Sequence, residues 1–431
     1  MCRCMVTLAT LLLTGTLVFS AEDSWPQFRG PTGDGLASAT AEPPVEWSET
    51  KNIAWKVATP GKGRSSPVIM GDRIFLTMAL EEGTKRTRIG PDDMQVATRI
   101  KPGVVCLDRN TGKQLWHTTL FDIENPQPVH WLNSFATPTP VVEGNRVYCD
   151  FGAFATGCLD AETGSIVWKT QVPLDHQVGP GSSIIVYQNL LLMLRDGRSA
   201  QFVTALDKET GKTVWKVDRP PLNGSNDTRK CFSTPLLIQV KDQVQMLAVG
   251  ARWIVAYEPL TGKEIWRLRH GEGFSIGARP VFGNGLAIFS TGCMKPVLLA
   301  VKTDGQGEVP ATGIVWKSPR NVPVMSSPLL VGDEVYVVSD PGIASCSSAK
   351  TGDLIWQEKI GVACYASPTL ADGRIYFFCN DGKAVVLKAG TKMERLGENT
   401  IEGFITASPA FLGKAIYVRT DGHMYRIESK Q

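Results

Sequence analysis

Beyond residue 20, this chain of 431 residues has no apolar run long enough to span a membrane. It has no surplus of either charge, with 45 Lys and Arg against 42 Asp and Glu, so no nucleic acid and no anionic membrane is expected as a partner. HExxH, P-loop and CxxC patterns are all missing. The five histidines, His117, His130, His176, His270 and His423, show no metal-ligand spacing, and no metal site is expected. No segment after residue 20 carries three helical turns with an apolar face, which excludes an α/β class.

What is present starts with a leader. MCRC carries one Arg, and MVTLATLLLTGTLVFS then runs uncharged to the first acid, Glu22. A short basic start, an apolar run and small residues at its end describe a signal peptide over residues 1–20. Cleavage is expected after Ser20, with Ala21 as the other candidate; an uncleaved anchor is the alternative that the short run disfavours. The mature chain is expected to be exported, periplasmic or secreted, with no transmembrane span. Without residues 1–20 the balance is 44 basic to 42 acidic residues. Cys2 and Cys4 precede the apolar run, so neither is placed for lipidation.

Eight cysteines remain. Cys106, Cys158 and Cys346 share one repeat position with Ala205, Ala256 and Ala300, which marks a small buried slot rather than a disulfide framework. Cys149 and Cys158 flank a turn and form one conceivable bridge across two strands, although nothing in the fold calls for it.

The dominant feature is a repeat. TGKQLW (111–116), TGSIVW (163–168), TGKTVW (210–215), TGKEIW (261–266) and TGDLIW (351–356) are near copies, with a shorter TGIVW at 312–316. Each unit opens on a small residue and Pro, as in SSPV (65–68), STPL (233–236) or ASPA (407–410); GSSI (181–184) lacks the Pro. A short strand, a Gly or Asp turn, a second strand such as RIYFF, and a third ending in Leu-Asp or its relatives follow. The Gly of each TG supplies the positive φ of a hairpin turn, Asp and Thr cap its amides, and the Trp opens a fourth strand. Trp-to-Trp spacings of 40 to 61 residues suit a β-propeller blade.

First, second and third strands each occur eight times. NIAWKV (52–57) stands before the first unit and supplies the outer strand that the last unit lacks. The expectation is an all-β, eight-bladed β-propeller of four-stranded antiparallel blades over residues 52–431, closed by an N-terminal strand. Trp55, Trp116, Trp168, Trp215, Trp266, Trp316 and Trp356 are expected to pack between blades. Residues 21–51 form an extension; in it SWPQFRGPTGDG (24–35) reads as an ordered arm laid over the ring, anchored by Trp25 and Phe28.

Seen whole as CLDRNTGKQLW, CLDAETGSIVW and ALDKETGKTVW, the unit resembles the repeat of the quinoprotein (pyrroloquinoline quinone, PQQ-like) propellers. The resemblance covers residues 52–428. That family includes alcohol and glucose dehydrogenases, the propeller lipoprotein of the outer-membrane β-barrel assembly machinery, and exported propellers with no assigned reaction. The adjacent cysteine pair that the resemblance leads one to expect of the soluble alcohol enzymes is absent here. No positions match their catalytic Asp or calcium ligands, so no catalytic residue is assigned. Glu81, Glu82, Asp92 and Asp93 are the nearest carboxylates, and they lie in an insertion (79–103) that reads as a solvated, elongated hairpin.

Loops entering the innermost strands gather at the channel of a propeller. Here they carry Arg64, His130, Trp131, Asn133, His176, Arg229, Phe274, Arg279 and Tyr365, a set suited to an anionic planar ligand or to a peptide from a partner. Two functions follow. The first is a monomeric interaction or scaffold module without catalysis, serving other envelope proteins or peptide segments. The alternative is a PQQ-binding oxidoreductase, with calcium, acting on an alcohol or sugar.

Overall fold

A computed structural model describes residues 24–429, so the expected leader and both cleavage candidates lie outside the described residues. The chain is all-β. Its strands form successive sheets built on four antiparallel strands, most of them running from an inner to an outer strand in sequence order, with extra strands on the first and fourth. The second sheet is typical, with Val141–Glu143, Arg146–Asp150, Thr156–Asp160 and Ile166–Thr170. Inner strands begin in turn at Val68, Val141, Ile185, Leu236, Val281, Leu329, Thr369 and Ala410, and the sheets are numbered here in that order. In the eighth, Ala410–Leu412, Ala415–Arg419 and His423–Glu428 are joined on the outside by Ile53–Ala58, paired antiparallel to His423–Glu428.

Sheets stacked on both faces bury their middle strands completely. Leu190–Asp196 is buried at all seven positions, and Val104 to Leu107 are as fully enclosed. The middle strands therefore read as continuous apolar runs, and alternation survives only in outer strands such as Ile166–Thr170.

The repeated phrase has a geometric account. Asp108 Oδ1 accepts hydrogen bonds from the amides of Asn110 and Thr111 and from the Thr111 hydroxyl. These bonds hold its carboxyl below the usual range, with the Thr111 hydroxyl the largest cause. The following Gly112 has φ 72°. A Cβ there would meet the indole of Trp55 at 2.9 Å, because the Trp of the preceding outer strand lies flat on the turn. Trp55 Nε1 donates to the Arg109 carbonyl (3.0 Å), and Trp168, Trp316 and Trp356 do likewise to Lys208, Ala349 and Gly390. Trp116 reaches Ala161 at 3.3 Å. Trp266 differs, donating to Gln245 Oε1, and Trp215 packs on Gly262 without a partner for its Nε1.

The cysteines need correction. Cys158 lies opposite Tyr148, while Cys149 lies opposite Gly157, so the two sulfurs belong to different cross-strand pairs and remain free thiols. The disulfide joins Cys364 to Cys379, tying the loop that enters the seventh sheet to the end of that sheet's second strand. Cys106, Cys158 and Cys346 are buried, and burial pushes each thiol up to about 12.

The arm also departs from expectation. It is ordered, but it lies inside the innermost strands rather than over them. Ser24 and Trp25 pair antiparallel with Met70 and Ile69 of the first inner strand. The Val142 amide donates to the Pro26 carbonyl, and Leu36 bridges in parallel to Leu370 of the seventh inner strand. The arm thus enters the channel from the face of the tight turns, reverses, and leaves by the same face, where the Glu42 amide donates to the Gly413 carbonyl. Trp25 is fully buried; the second anchor is Arg29, since Phe28 is only half-buried. Farther on, Trp47 stacks on Tyr376 and Phe378, filling the place beside the seventh sheet, whose outer strand Arg395–Thr400 has no Trp of its own.

Candidate functional site

The channel is built from residues that precede the inner strands. The Ser66 amide donates to Thr139 Oγ1, the Thr139 amide to Ser183 Oγ, and the Ser183 amide to Thr234 Oγ1. A second run passes from the Arg279 amide to Ser327, from Ser327 to Ser367, and from Ser367 to Ser408. Every link is 2.9 to 3.0 Å and joins one sheet to the next. The "small residue before Pro" of the sequence is thus a hydroxyl that accepts its neighbour's amide. Between Thr234 and Arg279 the relay stops, because position 279 carries no hydroxyl.

Arg279 fills that gap with its guanidinium. Nε donates to the Pro235 carbonyl, and Nη1 donates to the carbonyls of Phe28 and Gly33 in the arm, each at 3.0 Å. Arg29 answers from the arm side, donating to the Pro328 carbonyl (2.8 Å) and to the Asp34 carbonyl. Both side chains are buried, and burial lowers the guanidinium of Arg29 to about 10 and that of Arg279 to about 9, the latter aided by the charge of Arg29. Two glycines permit this approach. A Cβ on Gly33 would lie 2.3 Å from Arg279 Nη1, and one on Gly35 would lie 2.6 Å from Arg29 Nη2.

The other face carries the mouth of the channel. Arg64 lies over the Phe404 ring (5.7 Å) and reaches Thr406 Oγ1 and the Trp131 carbonyl, at 3.3 and 3.4 Å. Burial lowers its guanidinium, with Asp421 and Tyr365 acting in opposition. Arg64 and Asn133 share a cavity of about 90 Å³ with Phe404, Thr406 and Asp421. The structure brings together these two candidates, with Trp131 and Tyr365 nearby.

Most candidates, Trp131 and Asn133 at the mouth included, carry contacts of their own. His130 pairs with Met94 in the inserted hairpin, and Trp131 lies under the Arg86 guanidinium at 4.3 Å. Asn133 Nδ2 donates to the carbonyls of Val178 and Pro180. His176 is buried against Phe154, accepts the Gly179 amide on Nδ1, and is held down to about 4 by burial. Arg229 bonds its own loop at Gly224, and Phe274 receives the Cys293 amide on its carbonyl. Sequence reasoning missed Arg29, Phe404, Thr406 and the hydroxyl relay. The Ser or Thr before Pro in most units was the available signal for the relay.

The insertion forms the hairpin Lys85–Ile89 and Asp92–Val96, which pairs with Val129–His130 above the mouth. Three of its carboxylates meet neighbours, Glu81 through Oε2 with Lys62 and Gln95, Glu82 with Lys101, and Asp93 with Arg86, while Glu81 Oε1 is buried without a hydrogen-bond partner. Among the described residues no group of three or more His, Cys, Asp or Glu is arranged to hold a metal ion. A tricarboxylate quinone with calcium does not fit these residues. Arg279 is spent on the arm, and the cavity at Arg64 is far below the several hundred Å³ of a cofactor site. Among the described residues no helix is long and apolar enough to cross a membrane.

Comparison with known proteins bears on the fold and the family. The PQQ_2 family, described as outer membrane protein assembly factor BamB, matches residues 100–292 and 250–395. Tetrathionate hydrolase of Acidithiobacillus ferrooxidans is 22% identical over 369 residues, covering 80% of this chain and 68% of the hydrolase. BamB of Legionella pneumophila is 24% identical over 210 residues, covering 45% of this chain and 50% of that protein, so the match spans half of that relative's length. Polyvinylalcohol dehydrogenase of a Pseudomonas species is 23% identical over 479 residues, covering 83% and 73%. The crystal structure of BamB from Moraxella catarrhalis superposes with a TM-score of 0.57 at 15% identity, covering 82% of this chain and 97% of that one, a likeness of fold. With a repeat, a sheet topology and a family match that extend over most of its length, the chain belongs to the PQQ-like β-propeller family described as outer membrane protein assembly factor BamB.

Proposed function

We propose that this chain is an exported interaction or scaffold module of the cell envelope with no chemistry of its own. The observation that carries the reading is the plugged channel: residues 24–36 occupy the axis, and Arg279 is consumed in holding them. Within the same reading residues 1–20 are a signal peptide and 21–51 an extension. Residues 52–431 form one eight-bladed ring that Ile53–Ala58 closes. The chain acts as a monomer on envelope proteins or their extended segments. The likeness to BamB supports this assignment.

The likeness to polyvinylalcohol dehydrogenase favours the second reading, a quinone-dependent oxidoreductase. The two separate experimentally. Purified protein is titrated with pyrroloquinoline quinone and calcium while absorbance and dye reduction with alcohols and sugars are followed; envelope extracts are passed over the same protein in parallel. The scaffold reading expects co-purifying envelope proteins and no dye reduction. A stoichiometric, calcium-dependent complex that reduces dye would overturn it.

A further inference from the structure

The outer strand of each sheet has one edge that its own unit leaves unpaired. At the fourth sheet the chain covers that edge itself. Gly307–Val309, from the insertion before the fifth outer strand, adds in parallel to Glu264–Arg269. Trp266 faces Gly307, Arg267 faces Glu308, and Leu268 faces Val309. Ile265 beneath the added strand is 8% exposed, whereas Val214 at the matching place in the third sheet is 52% exposed. Arg267 lies over the Trp253 ring at 5.5 Å and donates from Nη2 to Glu308 at 2.8 Å.

The third sheet repeats the aliphatic residue, the Trp and the cation over a cross-strand aromatic ring, without the added strand. Its outer strand Thr213–Asp218 reads Val214-Trp215-Lys216, against Ile265-Trp266-Arg267 in the fourth. The Lys216 ammonium lies over the Phe202 ring at 4.1 Å, and Phe202 occupies the cross-strand position that Trp253 holds next door. Among the described residues no carboxylate is within ion-pair distance of Lys216, which is exposed together with Val214. An unpaired strand edge offers backbone donors and acceptors to any extended segment, and side-chain complementarity selects among them.

We propose that Thr213–Asp218 is a docking edge for an extended segment of a partner protein. The segment carries an acidic residue between a small and an aliphatic one and adds in parallel, as Gly-Glu-Val does on the fourth sheet. Its carboxylate pairs with Lys216, its small residue lies opposite Trp215, and its aliphatic residue lies opposite Val217. The proposal rests on the interaction reading above and names one surface and one partner chemistry for it.

The test uses the full chain and a fluorescent peptide of its own sequence Asp304–Pro310, DGQGEVP, beside a counterpart with Lys in place of Glu. Anisotropy should show saturable binding of the first peptide, and hydrogen exchange should show protection of the 213–218 amides. Lys216→Glu should weaken the Glu peptide at least tenfold and restore binding of the Lys peptide; the exposed side chain makes misfolding an unsuitable explanation. Absence of saturation at millimolar peptide, protection elsewhere, or indifference to Lys216→Glu would overturn the edge. So would sedimentation showing that a second copy of the chain occupies it. Envelope proteins that co-purify equally with wild type and Lys216→Glu would sink this edge and leave the scaffold reading standing.

Discussion

The rim and the axis of this molecule are built by opposite means. At the rim one device recurs, an indole laid on the next sheet's glycine turn and bonded to its carbonyl. At the axis each contact that seats the arm occurs once: Arg279 to the arm, Arg29 to Pro328, Trp25 beside Ile69. A repeated contact divides its load among copies. A single-copy contact has no substitute, so the axis should fail more steeply than any one place on the rim.

Four measurements bear on that difference. Arg279→Met removes three charged donors from buried carbonyls at 3.0 Å and should cost more than about 4 kcal/mol. Protease should then cut within residues 24–47 before the sheets. An intact arm in this variant would break the comparison. Reduction of Cys364–Cys379, which closes a separation of 15 residues, should cost about 3 kcal/mol in denaturant midpoint. Mass spectrometry should find no second disulfide.

Trp168→Ala, at the rim, should cost about 2–3 kcal/mol, the indole being half-buried with one hydrogen bond of 2.9 Å. It should leave the arm protected from protease. A loss equal to that of Arg279→Met would erase the distinction. The smallest effect concerns His270, buried against Phe289 with Nε2 on the Gly250 carbonyl and held down to about 4 by burial. The folded state keeps this ring neutral while the unfolded chain takes up a proton near 6.5, so its contribution is full above 6.5 and lost as pH falls toward 4. Asp196, raised to about 6 by burial, acts in the opposite sense: its contribution is lost as pH rises through 6. Wild type should therefore lose on the order of 2 kcal/mol more than His270→Gln between pH 7 and 4, by denaturation at each pH.

How much of this was legible follows the same division. The TG turn and its Trp are periodic, so alignment of the chain with itself exposes them, and Trp55 standing alone before the first unit points to a strand displaced in sequence. The hydroxyl relay was half legible: Ser327, Ser367 and Ser408 precede Pro, but reading them only as small hid the bond each accepts. Arg279 in ARPV looked like one more loop cation. Nothing local says that its partner is an arm about 250 positions away. Phe28 misled because an aromatic suggests an anchor more readily than Arg29, whose burial depends on finding carbonyls. Cys364 and Cys379 have no counterparts in other units, while Cys149 and Cys158 looked paired by spacing but stand one register step apart.

The pairing of Ile53–Ala58 with His423–Glu428 also orders events in time. The strand leaves the ribosome long before its partner, which lies far downstream. The arm before it packs Trp25 against Phe411 and sets the Glu42 amide on Gly413, and neither exists until the eighth sheet is made. The earliest described residues are therefore the last to settle. Such distant contacts make for slow folding, and a chain lacking its final strand would leave both its first strand and its axial plug without a seat.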